Sequence, residues 1–190
     1  LKYNPKKLII IEKDFQLFKF LKKKYNKNKK IEIILGDILK YNLCKFKNLI
    51  IISNLPYNIS TKIILHLFYF NKNVLEMIIM IQKEVSQKFD YNLPNMNKYK
   101  FLTKIVSSYV RCFDVSPNVF LPKPRVTSTV VRFRFNKKNI NFEKANKFSK
   151  LIFKNVRKKI FNNIKVVSDL SEKRVSEISI KDLLNIYNLF

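Results

Sequence analysis

The residues best suited to chemistry form a short loop directly after the apolar run NLIIIS (48–53): Asn54, Leu55, Pro56 and Tyr57. The Asn54 side-chain oxygen and the Leu55 carbonyl can both accept hydrogen bonds from an exocyclic NH2 group. Pro56 stiffens the turn, and Tyr57 offers a face on which a base can stack. Ligands of open α/β sheets bind at the carboxyl ends of strands, so this loop is a candidate site. The alternative is an ordinary turn with a half-buried tyrosine.

Two acidic residues follow other apolar runs. Glu12 ends the run LIIIE, where its carboxylate can accept two hydrogen bonds from a ribose diol. Asp37 follows the run IEIIL and Gly36, the chain's one glycine. A solvated strand end and a turn aspartate are the alternatives for these two. A single glycine excludes a GxGxxG loop or a P-loop, and with them ordinary nucleotide hydrolases and complete dinucleotide sites.

Isoleucine-rich runs alternate with amphipathic stretches in the first 135 residues. Four of the runs are continuous enough for strands buried on both faces, at 8–12, 31–35, 48–53 and 76–82. Helical spacing predicts three helices, at 14–24, 60–69 and 99–109. The alternating segment 127–135 is predicted to be a final strand. This order favours a parallel, doubly wound α/β sheet.

From about residue 136 the pattern changes, and no further strand is evident. Residues 143–165 and 180–189 are predicted to be helices. We therefore expect an α/β domain over residues 1–135 and a small helical domain over residues 136–190.

The composition is strongly basic, with 39 Lys and Arg against 13 Asp and Glu, a net charge of +26. Such an excess favours a nucleic-acid partner, with an anionic membrane surface or a merely solvated face as alternatives. No apolar run reaches the roughly 18 residues of a spanning helix. Cys44 and Cys112 have no metal or disulfide spacing, and the lone His66 lies in a helical pattern. We therefore expect no metal site and a reducing compartment inside the cell.

Six strings, in this order along the chain, resemble motifs of the ribosomal RNA adenine N6-dimethyltransferases. They are IEKD (11–14), GD (36–37), NLPYNIST (54–61), QKEV (82–85), PNVFLPKPRVTS (117–128) and VRKK (156–159) with NN (162–163). The resemblance implies a Rossmann-like class I methyltransferase sheet followed by a small helical domain. It also implies S-adenosylmethionine as the cofactor.

The resemblance further implies roles for individual residues. The catalytic residues would be Asn54, Leu55, Pro56, Tyr57 and Phe120, with the phenylalanine near the target base. The cofactor-binding residues would be Glu12 at the ribose, Asp37 at the adenine amine, and also Ile38 and Asn54. Lys123, Arg125, Arg157, Lys158 and Lys159 would bind RNA phosphates, the last three from a helix.

The implied function is dimethylation of adenines in small-subunit ribosomal RNA during ribosome biogenesis, by a monomer acting on a subunit precursor away from membranes. One alternative is a non-catalytic nucleic-acid-binding relative, such as a mitochondrial transcription factor or an assembly factor. Another is a resistance-type methylase of large-subunit RNA. The cytoplasm, nucleolus, mitochondrion and plastid all use this family.

The chain departs from the family pattern at its beginning. It opens with LKYNPKK, and no string resembles the family's first glycine-rich loop, which holds the methionine end of the cofactor. We therefore expect the family's first, central strand and that loop to precede Leu1, with a naturally shortened, inactive relative as the alternative. By this expectation, residues 1–190 alone are poorly stable, bind the cofactor weakly and are inactive.

Overall fold

The computed structural model describes residues 5–136, 140–164 and 169–190. It divides the chain into two compact units, Leu1–Lys45 and Phe46–Phe190. Each unit is α/β in composition, as predicted, and each is described by itself below.

The first unit is a strand–helix–strand element. Strand β1 (Leu8–Glu12), helix α1 (Phe15–Tyr25) and strand β2 (Ile31–Leu35) follow in order, and the two strands pair in parallel. Asp14 starts α1 because its carboxylate accepts from the backbone N–H of Leu17 at 2.8 Å. Both predicted strands are confirmed, and the predicted helix is shifted by one residue.

The second unit contains a four-stranded mixed sheet. Its strands are β3 (Leu49–Asn54), β4 (Val74–Gln82), β5 (Ser107–Val115) and β6 (Ser128–Phe135), in the spatial order β3-β4-β6-β5. β3 and β4 are parallel, whereas β6 runs antiparallel to both of its neighbours. The prediction of a wholly parallel sheet is therefore wrong here. The link from β5 to β6 contains no crossover helix of the kind that parallel neighbours need.

The predicted helix over 99–109 is correct only in part. The helix found there, α4, spans Lys98–Val106 and so ends three residues before the predicted end. It is preceded by a short helix, α3, which spans Lys83–Phe89. Ser107 is already extended, with φ −153° and ψ 162°, and begins strand β5. Neither this strand nor α3 was predicted from the sequence.

The other helices are α2 (Ser60–Tyr69), α5 (Phe142–Ile152), α6 (Ile160–Ile164) and α7 (Ile180–Leu189). α2 and α7 confirm their predictions. The single helix predicted over 143–165 is wrong, because the chain leaves the helix after Ile152 and resumes one only at Ile160. Lys154 N–H closes a short turn to the carbonyl of Leu151 at 3.2 Å. The predicted end of that helix, Lys165, lies outside the described residues.

One face of the four-stranded sheet carries the core of this unit. Met77 and Ile81 of β4 are fully buried, as are Phe133 of β6 and Phe68 of α2. The C-terminal helices continue this core through aromatic contacts, such as Phe101 of α4 against Phe148 of α5 at 5.1 Å between ring centroids. The predicted boundary between domains at residues 135 and 136 stays a prediction. None of the helices in the described residues is long and apolar enough to cross a membrane.

Candidate functional site

The loop after β3 is held to the sheet by its second residue. Leu55 is buried, and its N–H donates to the carbonyl of Met80 on β4 at 3.1 Å. The Pro56 carbonyl then accepts from Ile59 N–H at 3.2 Å, which closes a turn into α2. The loop therefore has one defined path between a strand end and a helix start.

Two oxygen acceptors of this loop remain open. Asn54 is exposed at the carboxyl end of β3. Within the described residues, neither the Asn54 side chain nor the Leu55 carbonyl takes part in a hydrogen bond. Both groups are therefore available to a ligand that carries an NH2 group.

Tyr57 is fixed by a contact outside its own loop. Its hydroxyl lies 2.7 Å from Oγ of Ser128, the first residue of β6, and Ser128 is fully buried. Ser128 pairs with Gln82 on one side and with Val115 on the other. The ring of Tyr57 is half-buried and tied to the first residue of an interior strand of the sheet. This partner of the tyrosine was not predicted from the sequence.

A proline-rich loop between β5 and β6 supplies the opposite wall. Its turn closes where Phe120 N–H donates to the carbonyl of Pro117 at 3.2 Å. Phe120, Pro122 and Pro124 line a cleft of about 310 Å³ together with Asn54, Leu55, Pro56 and Tyr57. The structure therefore brings all five predicted catalytic residues together. Lys123 and Arg125, of the same loop, are exposed.

An ionic cluster lies at the ends of β5 and β6. The Asp114 carboxylate bonds to the guanidinium of Arg111, the hydroxyl of Thr129 and the ammonium of Lys83. These contacts, that of Arg111 above all, hold the pKa of Asp114 well below its usual range. The Lys83 N–H also donates to the carbonyl of Thr127, the residue before Ser128, at 3.0 Å. The cluster therefore braces the strand that carries the partner of Tyr57, which sequence reasoning missed.

The first unit holds the two predicted cofactor carboxylates at neighbouring strand ends. Gly36 N–H donates to the carbonyl of Glu12 at 2.9 Å, which joins the turn after β2 to the end of β1. The Asp37 carboxylate accepts from the Lys13 ammonium at 2.9 Å and from Leu39 N–H at 3.0 Å. The hydrogen bond from Lys13, above all, lowers the pKa of Asp37 and so favours its charged form.

The hydrogen-bond acceptors of the first unit suit the adenosine end of a nucleoside cofactor. A Cβ at Gly36 would meet nothing within 4 Å, so the space beside this turn is open. Glu12 and Asp37 are hydrogen-bond acceptors for hydroxyl and amine groups, and Ile38 adds a half-buried apolar side chain. Asn54, the fourth predicted cofactor residue, belongs to the second unit.

The predicted basic cluster differs from expectation in its local structure. Arg157 and Lys158 lie in an exposed turn before α6, and Lys159 forms an isolated β-bridge with Arg174, so none of the three lies on a helix. The Lys159 ammonium pairs with Glu172 at 2.5 Å. Within the described residues, Arg157 and Lys158 have no such carboxylate partner.

Comparison with known proteins matches this arrangement to one family. The family model described as ribosomal RNA adenine dimethylase matches residues 1–189. A relative named ribosomal RNA small subunit methyltransferase A, from Malacoplasma penetrans, is 39% identical over 85% of this chain and 61% of its own length. A relative of the same name from Hydrogenobaculum is 34% identical over 97% of this chain and 74% of its own. The chain thus spans about three fifths of the first of these proteins.

Two solved structures share the fold. A dimethyladenosine transferase from Plasmodium falciparum has a TM-score of 0.78 at 22% identity, over 95% of this chain and 80% of its own. The 23S rRNA methyltransferase ErmE has a TM-score of 0.73 at 16% identity, over 98% of this chain and 82% of its own. These matches confirm the prediction of a Rossmann-like methyltransferase fold.

Proposed function

Since this chain belongs to the ribosomal RNA adenine dimethylase family, we propose that its protein methylates N6 of adenines in small-subunit ribosomal RNA. The observation that carries the proposal is the cleft in which Asn54 and the Leu55 carbonyl lie open between Tyr57 and Phe120. Relatives that match most of this chain are named small-subunit methyltransferases, which supports that substrate.

The chemistry asks for positioning more than for proton transfer. When bound, S-adenosylmethionine supplies a methyl group on a sulfonium sulfur, which an amine can displace directly. The Asn54 oxygen and the Leu55 carbonyl accept the two N–H groups of the adenine amine and so orient its lone pair. They also stabilise the positive charge that develops on this nitrogen. The bond of Leu55 to Met80 keeps these acceptors in place before the substrate arrives.

The two aromatic residues of the cleft hold the target base. An adenine must leave its stack before its amine can reach the strand end, and unstacking costs a few kcal/mol. Stacking on Tyr57 and contact with Phe120 offset this cost, since one base–aromatic stack contributes about 1–3 kcal/mol. Tyr57 loses little freedom on binding because its hydroxyl is already held by Ser128.

The proposed cofactor is S-adenosylmethionine, held at its adenosine end by the first unit. Glu12 would accept from the ribose hydroxyls and Asp37 from the adenine amine, with Ile38 against the base. Asn54 is proposed to serve the cofactor as well as the substrate. The open space beside Gly36 supports this assignment.

The proposed RNA contacts lie on two basic segments. Lys123 and Arg125 extend from the loop that carries Phe120, and Arg157, Lys158 and Lys159 form the second segment. All five side chains are exposed, as phosphate contacts require. We further propose a monomer that works away from membranes, in a reducing compartment inside the cell. Neither cysteine lies in the spacing of a disulfide framework, which supports the compartment.

The test is a methyl-transfer assay on the full gene product. The protein is supplied with methyl-labelled S-adenosylmethionine and, separately, with small-subunit precursor RNA and large-subunit RNA, and the nucleosides are analysed after digestion. We expect N6,N6-dimethyladenosine in small-subunit RNA. Dimethyladenosine confined to large-subunit RNA would identify a resistance-type methylase instead. RNA binding without any methyl transfer would identify a non-catalytic relative.

A further inference from the structure

Helix α1 of the first unit exposes a large aromatic side chain on the face that points away from the strands. Its half-buried side chains are Phe18, Leu21 and Tyr25, which recur at helical spacing and pack on the β1–β2 side. Phe20 lies on the opposite face, where its side chain is 58% exposed. A large aromatic residue on the polar face of a short helix has no structural task in the described chain.

The surroundings of Phe20 are wholly basic. No Asp or Glu occurs between Asp14 and Glu32, and this interval contains seven lysines: Lys19, Lys22, Lys23, Lys24, Lys27, Lys29 and Lys30. In the described parts of the chain, none of the four lysines on α1 pairs with a carboxylate. Over the described ranges, no carboxylate of the chain therefore neutralises their positive charge.

Aromatic rings and ammonium groups on this helix lie in contact. The Lys24 ammonium lies 5.7 Å from the centre of the Phe20 ring, and the Lys19 ammonium lies 4.3 Å from that of Phe15. Phe15 is itself 50% exposed. Exposed rings with lysines beside them combine the two features that bind single-stranded nucleic acid, a stacking platform and charges for the phosphates.

We propose that this face of α1, defined by Lys19, Phe20, Lys23 and Lys24, binds a single-stranded segment of RNA. A base stacks on Phe20 while the lysines contact the phosphates on either side. The inference rests on the proposed function in that RNA is the partner. It adds a further set of RNA-binding residues to those of the cleft and of the two basic segments assigned above.

The charge pattern favours RNA over a lipid surface. A helix that lies in a membrane interface turns its apolar face outward and its lysines to the rim. In α1 the half-buried residues face the strands, and the exposed Phe15, Leu17 and Phe20 are interspersed with lysines around the helix instead of forming one outward apolar stripe. Exposed rings separated by ammonium groups suit individual bases and their phosphates better than a continuous acyl layer.

The test measures binding of a fluorescein-labelled single-stranded RNA of about 12 nucleotides to the full gene product. The variants are Phe20→Ala, Phe20→Tyr and the double change K23Q/K24Q. The matched control is K147Q/K150Q, which removes two exposed lysines of α5. Circular dichroism checks that each variant is folded, as expected for changes at exposed positions.

We expect Phe20→Ala to weaken binding about tenfold, the loss of one stacked base, and Phe20→Tyr to retain it. K23Q/K24Q should lower the slope of log affinity against log salt by about 1.4, or about 0.7 for each phosphate contact on a single strand. The control double variant should leave both quantities near the wild-type values.

Three results would overturn the proposal. In the first, unchanged affinity and slope in the α1 variants would show that the face does not bind RNA. In the second, Phe20→Ala weakens binding of the protein to vesicles of phosphatidylcholine and phosphatidylserine, while its affinity for RNA stays constant. In the third, Phe20→Ala abolishes a dimer seen by sedimentation and leaves RNA affinity unchanged. Because no methyl transfer is needed in this assay, its outcome is separate from that of the proposed function.

Discussion

The hydroxyl of Tyr57 lies 2.7 Å from Oγ of Ser128, although 71 positions separate the two residues in the sequence. The bond ties the loop after β3 to the first residue of β6, which is fully buried between β4 and β5. It thereby joins the two walls of the cleft, since the loop that carries Phe120 leads directly into β6. The orientation of the Tyr57 ring thus depends on Ser128, a residue for which no contact with the substrate is proposed.

Removal of either partner of this bond should have the same effect. We expect Tyr57→Phe and Ser128→Ala each to lower kcat about two- to tenfold, the size of one hydrogen bond, and the double variant to be no worse. Steady-state kinetics on small-subunit RNA measure this, with exposed Ser108→Ala as the control. Losses that multiply in the double variant would show that the two residues act independently.

The carboxylates at the ends of β1 and β2 should govern cofactor affinity. Glu12→Gln and Asp37→Asn are each expected to weaken binding of S-adenosylhomocysteine about tenfold or more, because each weakens a charged hydrogen bond. Glu32→Gln is the control, since that side chain pairs with Lys7 and has no proposed ligand. Calorimetry on the full gene product gives the affinities. Equal losses in all three variants would mean that general charge, not these two positions, sets the affinity.

The basic turn before α6 should contribute unequally to RNA binding. Arg157→Ala and Lys158→Ala should each flatten the salt dependence of RNA affinity by about 0.7–0.9 in slope. Lys159→Ala should have a smaller effect, because Glu172 already pairs with its ammonium. Filter binding at several salt concentrations measures the slopes. If Lys159→Ala changes the slope as much as the other two variants do, Glu172 does not compete with RNA phosphates for the Lys159 ammonium.

Asp114 should make the stability of the second unit sensitive to acid. Its pKa in the folded chain lies below the ordinary value near 3.9 because Arg111 and Thr129 bond to the charged carboxylate. Its contribution is therefore fully present above about pH 4 and is lost as the pH falls through the lower folded value. Since Asp114 lies near the surface, we expect about 1 kcal/mol or less.

Denaturant unfolding of wild type and Asp114→Asn tests this expectation. The difference in the free energy of unfolding should be constant from about pH 7 to 5 and should shrink as the pH falls toward about 2. A difference that does not change with pH would assign the effect to hydrogen bonding of Asp114 rather than to its charge.

Much of the fold and of the cleft could be predicted from local patterns. The isoleucine runs at 8–12 and 31–35 were strong enough to fix both strands of the first unit within a residue. The Asn54 loop was identifiable because its residue types, its turn and its place after a strand all indicated one site. Phe120 needed the resemblance, since a phenylalanine by itself is more often a core residue.

The remaining features depend on contacts between distant positions. Strand β5 follows α4 without a loop, and most of its side chains are exposed, so its sequence lacks the apolar signal of a buried strand. The break after Ile152 follows from turn geometry that helical periodicity does not encode. Ser128 and Asp114 gain their roles from strands that are paired only in the folded chain.

The most direct test of the account is the rate of methyl transfer by Asn54→Ala in the full gene product. The account predicts a fall in kcat of about 10²–10³ with RNA affinity largely kept, because Asn54 acts when charge develops on the adenine nitrogen. Since Glu12 and Asp37 are the main proposed contacts of the cofactor, its affinity should fall less than in the variants of those two residues. The matched control is Asn58→Ala, an exposed asparagine of the same motif, which should transfer methyl groups at the wild-type rate. If Asn54→Ala methylates adenine at nearly the wild-type rate, Asn54 is only a turn residue and the proposed mechanism is wrong.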